Sequence, residues 1–306
     1  MSRLVVPRGW RPEVNYFGSA HVRLFAGAAL ISLSPVWVAL VSVSPTTSGV
    51  YRVLFGGLAL SAWLVFSRQR LDLSRKAWVL LLLAAIFFSL DLWFWHRSIN
   101  WIGPGLATLL ANFQVFVMML GGVLVYRQAP RPIQLVAVPL ALAGLGLIVG
   151  FDWRQLAPDY RLGVVFGLLT ALAYGSYMLT MRAVREETDD RLPLREVAIM
   201  SLMVAAILGV TAKVEGVSLA IPGLADAGWL LGYGLLSHSA GMVLIASSLT
   251  RVSTTEAGVA LLLQPTLSFI WDVLFFSRPV TALEATGAVL VLIAIYLGAR
   301  PASDQA

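Results

Sequence analysis

The chain has 306 residues, 58% of them hydrophobic and only 12% charged, with a mean hydropathy of +0.82; a soluble protein of this length would carry about 25% charged residues. This much apolar surface cannot be hidden in a water-facing fold, so lipid is the expected solvent and the chain reads as one all-α integral membrane domain. The net charge of +6 then reads as basic loops rather than a nucleic-acid surface, and the lack of cysteine excludes disulfides, thiol catalysis and thiolate metal sites.

The first twenty residues are polar, carry Pro7 and Pro12, and lack the apolar core of a cleavable signal peptide. Residues 1–21 are therefore expected to form a cytoplasmic segment ahead of an uncleaved anchor. A spanning helix needs about 20 apolar residues. Ten such runs follow, near residues 22–43, 48–67, 77–96, 104–126, 132–150, 161–181, 194–213, 226–248, 255–277 and 281–299. Their connections are short and rich in Pro, Gly or charge, as in SPTTS, RQRLDLSRK, RQAPRP and REETDDRLP. The runs are continuous rather than alternating, which argues against a closed barrel. Most of the 22 Lys and Arg residues fall on the side that also holds the N-terminus, leaving Arg97, Arg154, Arg161, Lys213 and Arg278 opposite and Arg52 inside a run. That bias predicts both termini in the cytoplasm, with residues 300–306 as a short tail.

Two stretches echo each other at an offset of 150 positions: Gly105–Tyr126, GLATLLANFQVFVMMLGGVLVY, and Thr255–Phe276, TEAGVALLLQPTLSFIWDVLFF. Gln114 falls on Gln264, and the Ser98–Ile99 entrance falls on Ser248–Leu249. The shared pattern of apolar runs with a polar middle divides the chain into two five-helix repeats, 22–150 and 151–299. An odd number of helices per repeat makes the second inverted relative to the first, an arrangement suited to a site at the midplane where the halves meet.

Polar residues in the middle of such runs are costly and mark candidate sites. Asp91 lies deep in the third run and shares a helical face with Trp95 and Ser98. It reads as a substrate-ammonium or proton site, or as a structural carboxylate. His238 lies at similar depth in the eighth run and could relay protons, bind a carboxylate, or hydrogen-bond a carbonyl. His96, near the end of its run, is expected at an interface. Gln114, Gln264 and Asn112 offer neutral donors and acceptors for a solute or for a neighbouring helix. Pro265 removes a backbone donor beside Gln264. Trp95, Tyr174 and Trp271 would supply aromatic walls, although each could equally be packing. Arg52 reads as snorkelling outward or as neutralising a buried carboxylate. Glu256 is expected at a helix entrance, and Asp272 near the outer third of its run. Three scattered His and no HExxH disfavour a metal site. No GxxxxGK[ST] stretch is present, which disfavours an ATP-driven pump.

The sequence resembles the EamA type of the drug/metabolite transporter superfamily. The resemblance rests on ten apolar runs in two halves, on ISLSPVWVALVSVSP followed by VYRVLFGGLAL, and on SSLTRVSTTEAGVALLLQPTLSFIWDVLFF with the closing TALEATGAVLVLIAIYLGAR. It covers roughly residues 22–300. Within that superfamily the chain is similar to the YddG-type aromatic amino-acid exporters. The resemblance implies an inner-membrane exporter, not an enzyme and without a cofactor. It would move Phe, Trp, Tyr and related amphiphiles outward through a cavity between the halves. Apart from the resemblance, a monomer in the bilayer is the working expectation. Many relatives carry a glutamate at the close of the fourth and ninth helices, where this chain has Gln128 and Arg278. A multidrug or other metabolite carrier on the same fold, and more remotely an intramembrane lipid enzyme, are the alternative readings.

Overall fold

The computed structural model describes residues 16–68, 72–125, 132–149, 156–188, 194–249, 263–277 and 279–299. The N-terminal segment up to residue 15, residues 126–131 (Gln128 among them), Glu256, Arg278, the first part of the second echo and the tail lie outside them. Every regular element is helical: α1 Tyr16–Ser32, α2 Ser34–Leu40, α3 Pro45–Phe66, α4 Arg75–Ile102, α5 Pro104–Ala111, α6 Gln114–Leu124, α7 Pro132–Val149, α8 Pro158–Glu187, α9 Leu194–Glu215, α10 Leu224–Gly232, a π-helix over Tyr233–Ala240, α11 Gly241–Leu249, α12 Leu263–Phe276 and α13 Ala282–Ala299.

Among the described residues, seven helical stretches are long and apolar enough to cross a bilayer, and three shorter apolar helices cover Leu135–Ile148, Leu263–Phe276 and Ala282–Leu297. Large apolar side chains on their outer faces are exposed, among them Phe66, Val79, Leu124, Leu172 and Leu274. In water this would be a liability; in hydrocarbon it is the expected surface. The protein is an all-α, multi-pass membrane protein.

Local chemistry sets the helix ends. Ser44 and Ser74 cap α3 and α4 by accepting the N–H groups of Thr47 and Ala77, both at 3.1 Å. Pro45, Pro104 and Pro158 sit in first turns, where a missing N–H is not needed. Gly103 turns the chain sharply between α4 and α5 with φ +83°, a conformation that a side chain disfavours.

Three of the predicted runs are not uniform helices. The first breaks at Leu33, ahead of Pro35, which cannot donate to the preceding turn. The fourth breaks at Asn112 and Phe113. The eighth widens into the π-helix. The third is longer than its apolar run, because α4 continues to Ile102.

Helices from the two ends of the chain pack in pairs: α1 with α11, α3 with α9, α4 with α8, α5 with α12, and α7 with α13. The closest approach is between α7 and α13. A Cβ at Gly144 would lie 2.8 Å from the Gly287 carbonyl oxygen, and one at Gly287 would lie 2.6 Å from the Gly144 carbonyl oxygen. Small residues let the backbones touch, the usual device for helix association in lipid. Replacing Gly287 by Val should therefore destabilise the fold by about 1–3 kcal/mol, the cost of overpacking. Thermal unfolding of the detergent-solubilised variant checks this, and Gly209→Val is the control, since nothing lies within 4 Å of a Cβ at that position.

Candidate functional site

The helix breaks surround one cavity of about 90 Å³ in the middle of the bundle. Asp91 and Trp95 reach it from α4, Asn112 and Gln114 from the α5–α6 break, Tyr174 from α8 and Gln264 from α12. The structure thus brings together six of the eight candidates from the sequence. The lining also contains Ser34, Arg52, Phe88, Thr108, Thr170 and Ser268. Most of these stand one helical turn from a candidate: Thr108 from Asn112, Thr170 from Tyr174, Ser268 from Gln264, Phe88 from Asp91. The i, i+4 and i, i+3 rule could have found them. Ser34 lies beside the Pro35 break, a weaker signal.

The α5–α6 break is repaired locally. Asn112 Nδ2 donates to the Thr108 carbonyl at 2.8 Å. The Asn112 and Phe113 amides donate to Leu109 and Leu110 at 3.2 and 3.0 Å, three residues back, a tightened turn. The Gln114 side chain at the start of α6 keeps a buried Oε1 with no partner. Ser34 Oγ and Arg52 Nε are also buried and unpartnered. Among the described residues no ion pair or hydrogen bond closes on the Asp91 carboxylate, which is 5% exposed. Native proteins rarely leave such groups unmet, and here three buried unpartnered atoms and the open Asp91 carboxylate line one cavity.

Arg52 neither snorkels nor pairs with a carboxylate. It is 8% exposed, and its Nη1–H donates to the Tyr233 hydroxyl at 2.8 Å. Tyr233 in turn lies 3.2 Å from His96 Nε2. His96 is fully buried rather than interfacial, because α4 runs six residues past the end of the apolar stretch. Its Nδ1–H donates to the Leu92 carbonyl at 2.6 Å.

His238 and Trp271 do not line the cavity. His238 is fully buried. The Ser201 hydroxyl donates to Val197 O at 2.7 Å, so the 2.8 Å contact between Ser201 and His238 requires an Nε2–H on the ring. The other ring nitrogen, Nδ1, is buried and without a partner. Trp271 donates from Nε1 to Ser32 Oγ at 2.9 Å, and Ser268 donates to Ser32 O at 3.0 Å. Both side chains tie α12 to the break between α1 and α2. Asp272 is 2% exposed, and its Oδ2 accepts the Gly105 N–H at 3.0 Å. A carboxylate there satisfies a free amide and complements the positive end of α5.

A second polar cluster joins the helix ends on the side predicted to face outward. Arg97 pairs with Glu215 at 2.7 Å and lies over the Trp93 ring at 4.0 Å. Thr46 and Trp93 Nε1 also donate to Glu215, both at 2.6 Å. Nearby, Ser42 donates to Asp226 from its amide at 2.7 Å and from its hydroxyl at 2.8 Å. Among the described residues no group of three His, Cys, Asp or Glu side chains could hold a metal ion.

The pattern of the EamA-like transporter family matches residues 18–150 and again residues 161–299. The chain belongs to the EamA-like transporter family. As an EamA-like protein it is also similar to a transporter of Haemophilus influenzae whose own role is uncharacterized, with 27% identity over 137 residues, or 43% of this chain. That match spans 44% of the relative's length. A solved crystal structure covers 92% of the EamA-like chain and 96% of its own, with a TM-score of 0.65 at 17% identity, a likeness of fold.

The Asp272 contact makes a stability prediction. Asp272→Ala leaves the buried Gly105 amide without its acceptor, so the fold should lose about 1–3 kcal/mol. Denaturant or thermal unfolding of the purified variant measures it, and Asp272→Asn, which keeps an acceptor oxygen, should lose less.

Proposed function

We propose that this EamA-like transporter exports amino acids, aromatic ones foremost (Phe, Trp, Tyr), with related amphiphilic metabolites, across a bacterial inner membrane. The observation that carries the reading is the cavity between the helices, where unpartnered polar groups face aromatic rings. Such a site suits a solute with charged ends and an apolar body. Asp91 would take the ammonium group. Gln114, Gln264 and Asn112 would orient the solute by hydrogen bonds, and Trp95 and Tyr174 would flank its side chain. His238 and Trp271 would act from behind the lining, His238 on the helix pair α3 and α9, Trp271 on the α1–α2 break.

The architecture we infer is ten membrane spans in two inverted repeats, 22–150 and 151–299, with both termini in the cytoplasm. The double match to the family supports it. So does the packing: exchanging the first five spans for the last five turns the α1–α11 pair into the α8–α4 pair, and leaves the other three pairs unchanged. Solute would then be exposed alternately on each face as the halves rock about the cavity. A carboxylate among aromatic rings also fits an organic cation, which gives the multidrug carrier as the second reading.

Counterflow into proteoliposomes tests both. Radiolabelled Trp and Phe should exchange while Ala does not, and cationic dyes should compete poorly. Asp91→Asn should lower Trp exchange about tenfold or more, the loss expected for one charged hydrogen bond. Strong block by dyes with no exchange of Trp or Phe would instead establish the multidrug reading.

A further inference from the structure

Arg52 was expected to satisfy itself at the membrane surface or on a carboxylate, and it does neither. Its hydrogen-bond chain has a fixed direction. The Leu92 carbonyl can only accept, so His96 Nδ1 carries a proton. In the neutral ring Nε2 is then the acceptor, and Tyr233 must donate its hydroxyl proton there. That leaves the Tyr233 oxygen lone pair for Arg52 Nη1–H. The chain holds one corner of the guanidinium. Its Nε is buried and unpartnered, and among the described residues no hydrogen bond is made by Nη2. These two nitrogens form one edge, with parallel N–H bonds spaced to match the two oxygens of a carboxylate. Phe88, Trp95 and Tyr233 surround the guanidinium, with ring centres 5.8, 5.6 and 4.9 Å from Cζ. The rings flank it and attract its charge. Arg52 and Asp91 line the same cavity yet form no ion pair with each other.

We propose that Arg52 is the carboxylate receptor of this cavity, and that Tyr233 and His96 are positioning residues that hold its free edge toward the solute. Together with Asp91, Arg52 makes the site selective for zwitterions. The proposal rests on the amino-acid reading for the identity of the solute, but not for the role of Arg52. An amine without a carboxylate would leave the buried guanidinium unpaired. A carboxylate without an amine would leave Asp91 unpaired and add a like charge beside it. Either omission is penalised more heavily in a desolvated site than at a surface.

The test compares matched probes on the purified full-length protein: Trp, tryptamine and indole-3-propionate. Thermal stabilisation gives binding, and inhibition of Trp counterflow gives transport. The wild type should favour Trp over each analogue by tenfold or more. Arg52→Gln should weaken Trp and indole-3-propionate by about tenfold or more while leaving tryptamine unchanged or tighter. Arg52→Lys keeps the charge but not the two-pronged edge, and should restore only part of the loss. Tyr233→Phe should raise the half-saturating Trp concentration several-fold with little change in maximal rate, and should not affect tryptamine. An equal loss of Trp and tryptamine in folded Arg52→Gln, or a wild type that binds tryptamine as well as Trp, would overturn the proposal. If the wild type moves no amino acid, the functional reading fails by itself. Arg52 is then judged on a panel of other carboxylates and their amine counterparts, where a preference for carboxylates lost in Arg52→Gln supports it and no such preference overturns it.

Discussion

A backbone in hydrocarbon must satisfy its own N–H and C=O groups, because no water is available to do so. Most of this protein meets that constraint with uninterrupted helices. Where it departs, a side chain nearby makes up the loss. The Ser32 carbonyl at the first break accepts Ser268. Asn112 folds back on Thr108 at the second. In the π-helix, Ser239 lies within bonding distance of both the Gly234 and Gly56 carbonyls, at 3.1 and 3.0 Å. The first two breaks bound the cavity, and the π-helix places Tyr233 against Arg52. Irregular backbone at membrane depth is tolerated where it is enclosed by protein, and these positions are enclosed.

The side chains divide in the same way. Charges at the helix ends find partners: Lys76 with Glu187 at 2.7 Å, Arg97 with Glu215 at 2.7 Å. The Lys76–Glu187 pair is open to water, where solvent screens an ion pair and leaves it little weight in stability, so it aligns helix ends more than it holds the fold. The cavity inverts this economy of contacts. Arg52 and Asp91 are far more deeply buried, where an unmatched charge is expensive, yet both retain free hydrogen-bonding capacity. Under the proposed function, these open groups are the ones a solute entering the cavity would meet.

Much of the bundle was legible in the sequence, because hydropathy reports length and the echo between Gln114 and Gln264 reports depth. Six of eight candidate residues meet at one cavity for the same reason: polar atoms at equal depth tend to face inward together. Hydropathy does not report how each helix is rotated or where it breaks. Trp271 and His238 sit at the right depth but point to neighbouring helices, and Arg52 was read without its partner because Tyr233 lies 181 positions away. The apolar run ends at His96 and so predicts an interface there, whereas α4 continues for another turn and a half. The Arg97–Glu215 cluster joins helices far apart in sequence and carries no local pattern at all.

Under the proposed function, solute sits in the cavity bounded by Asp91, Arg52 and the α5–α6 break. The chain has no cysteine, so a single thiol can report on it without background. Thr108→Cys places that thiol on the cavity wall. A water-soluble maleimide should label it in proteoliposomes, and saturating Trp should slow the labelling while Ala does not. Labelling at the same rate with and without every aromatic amino acid would place the solute elsewhere.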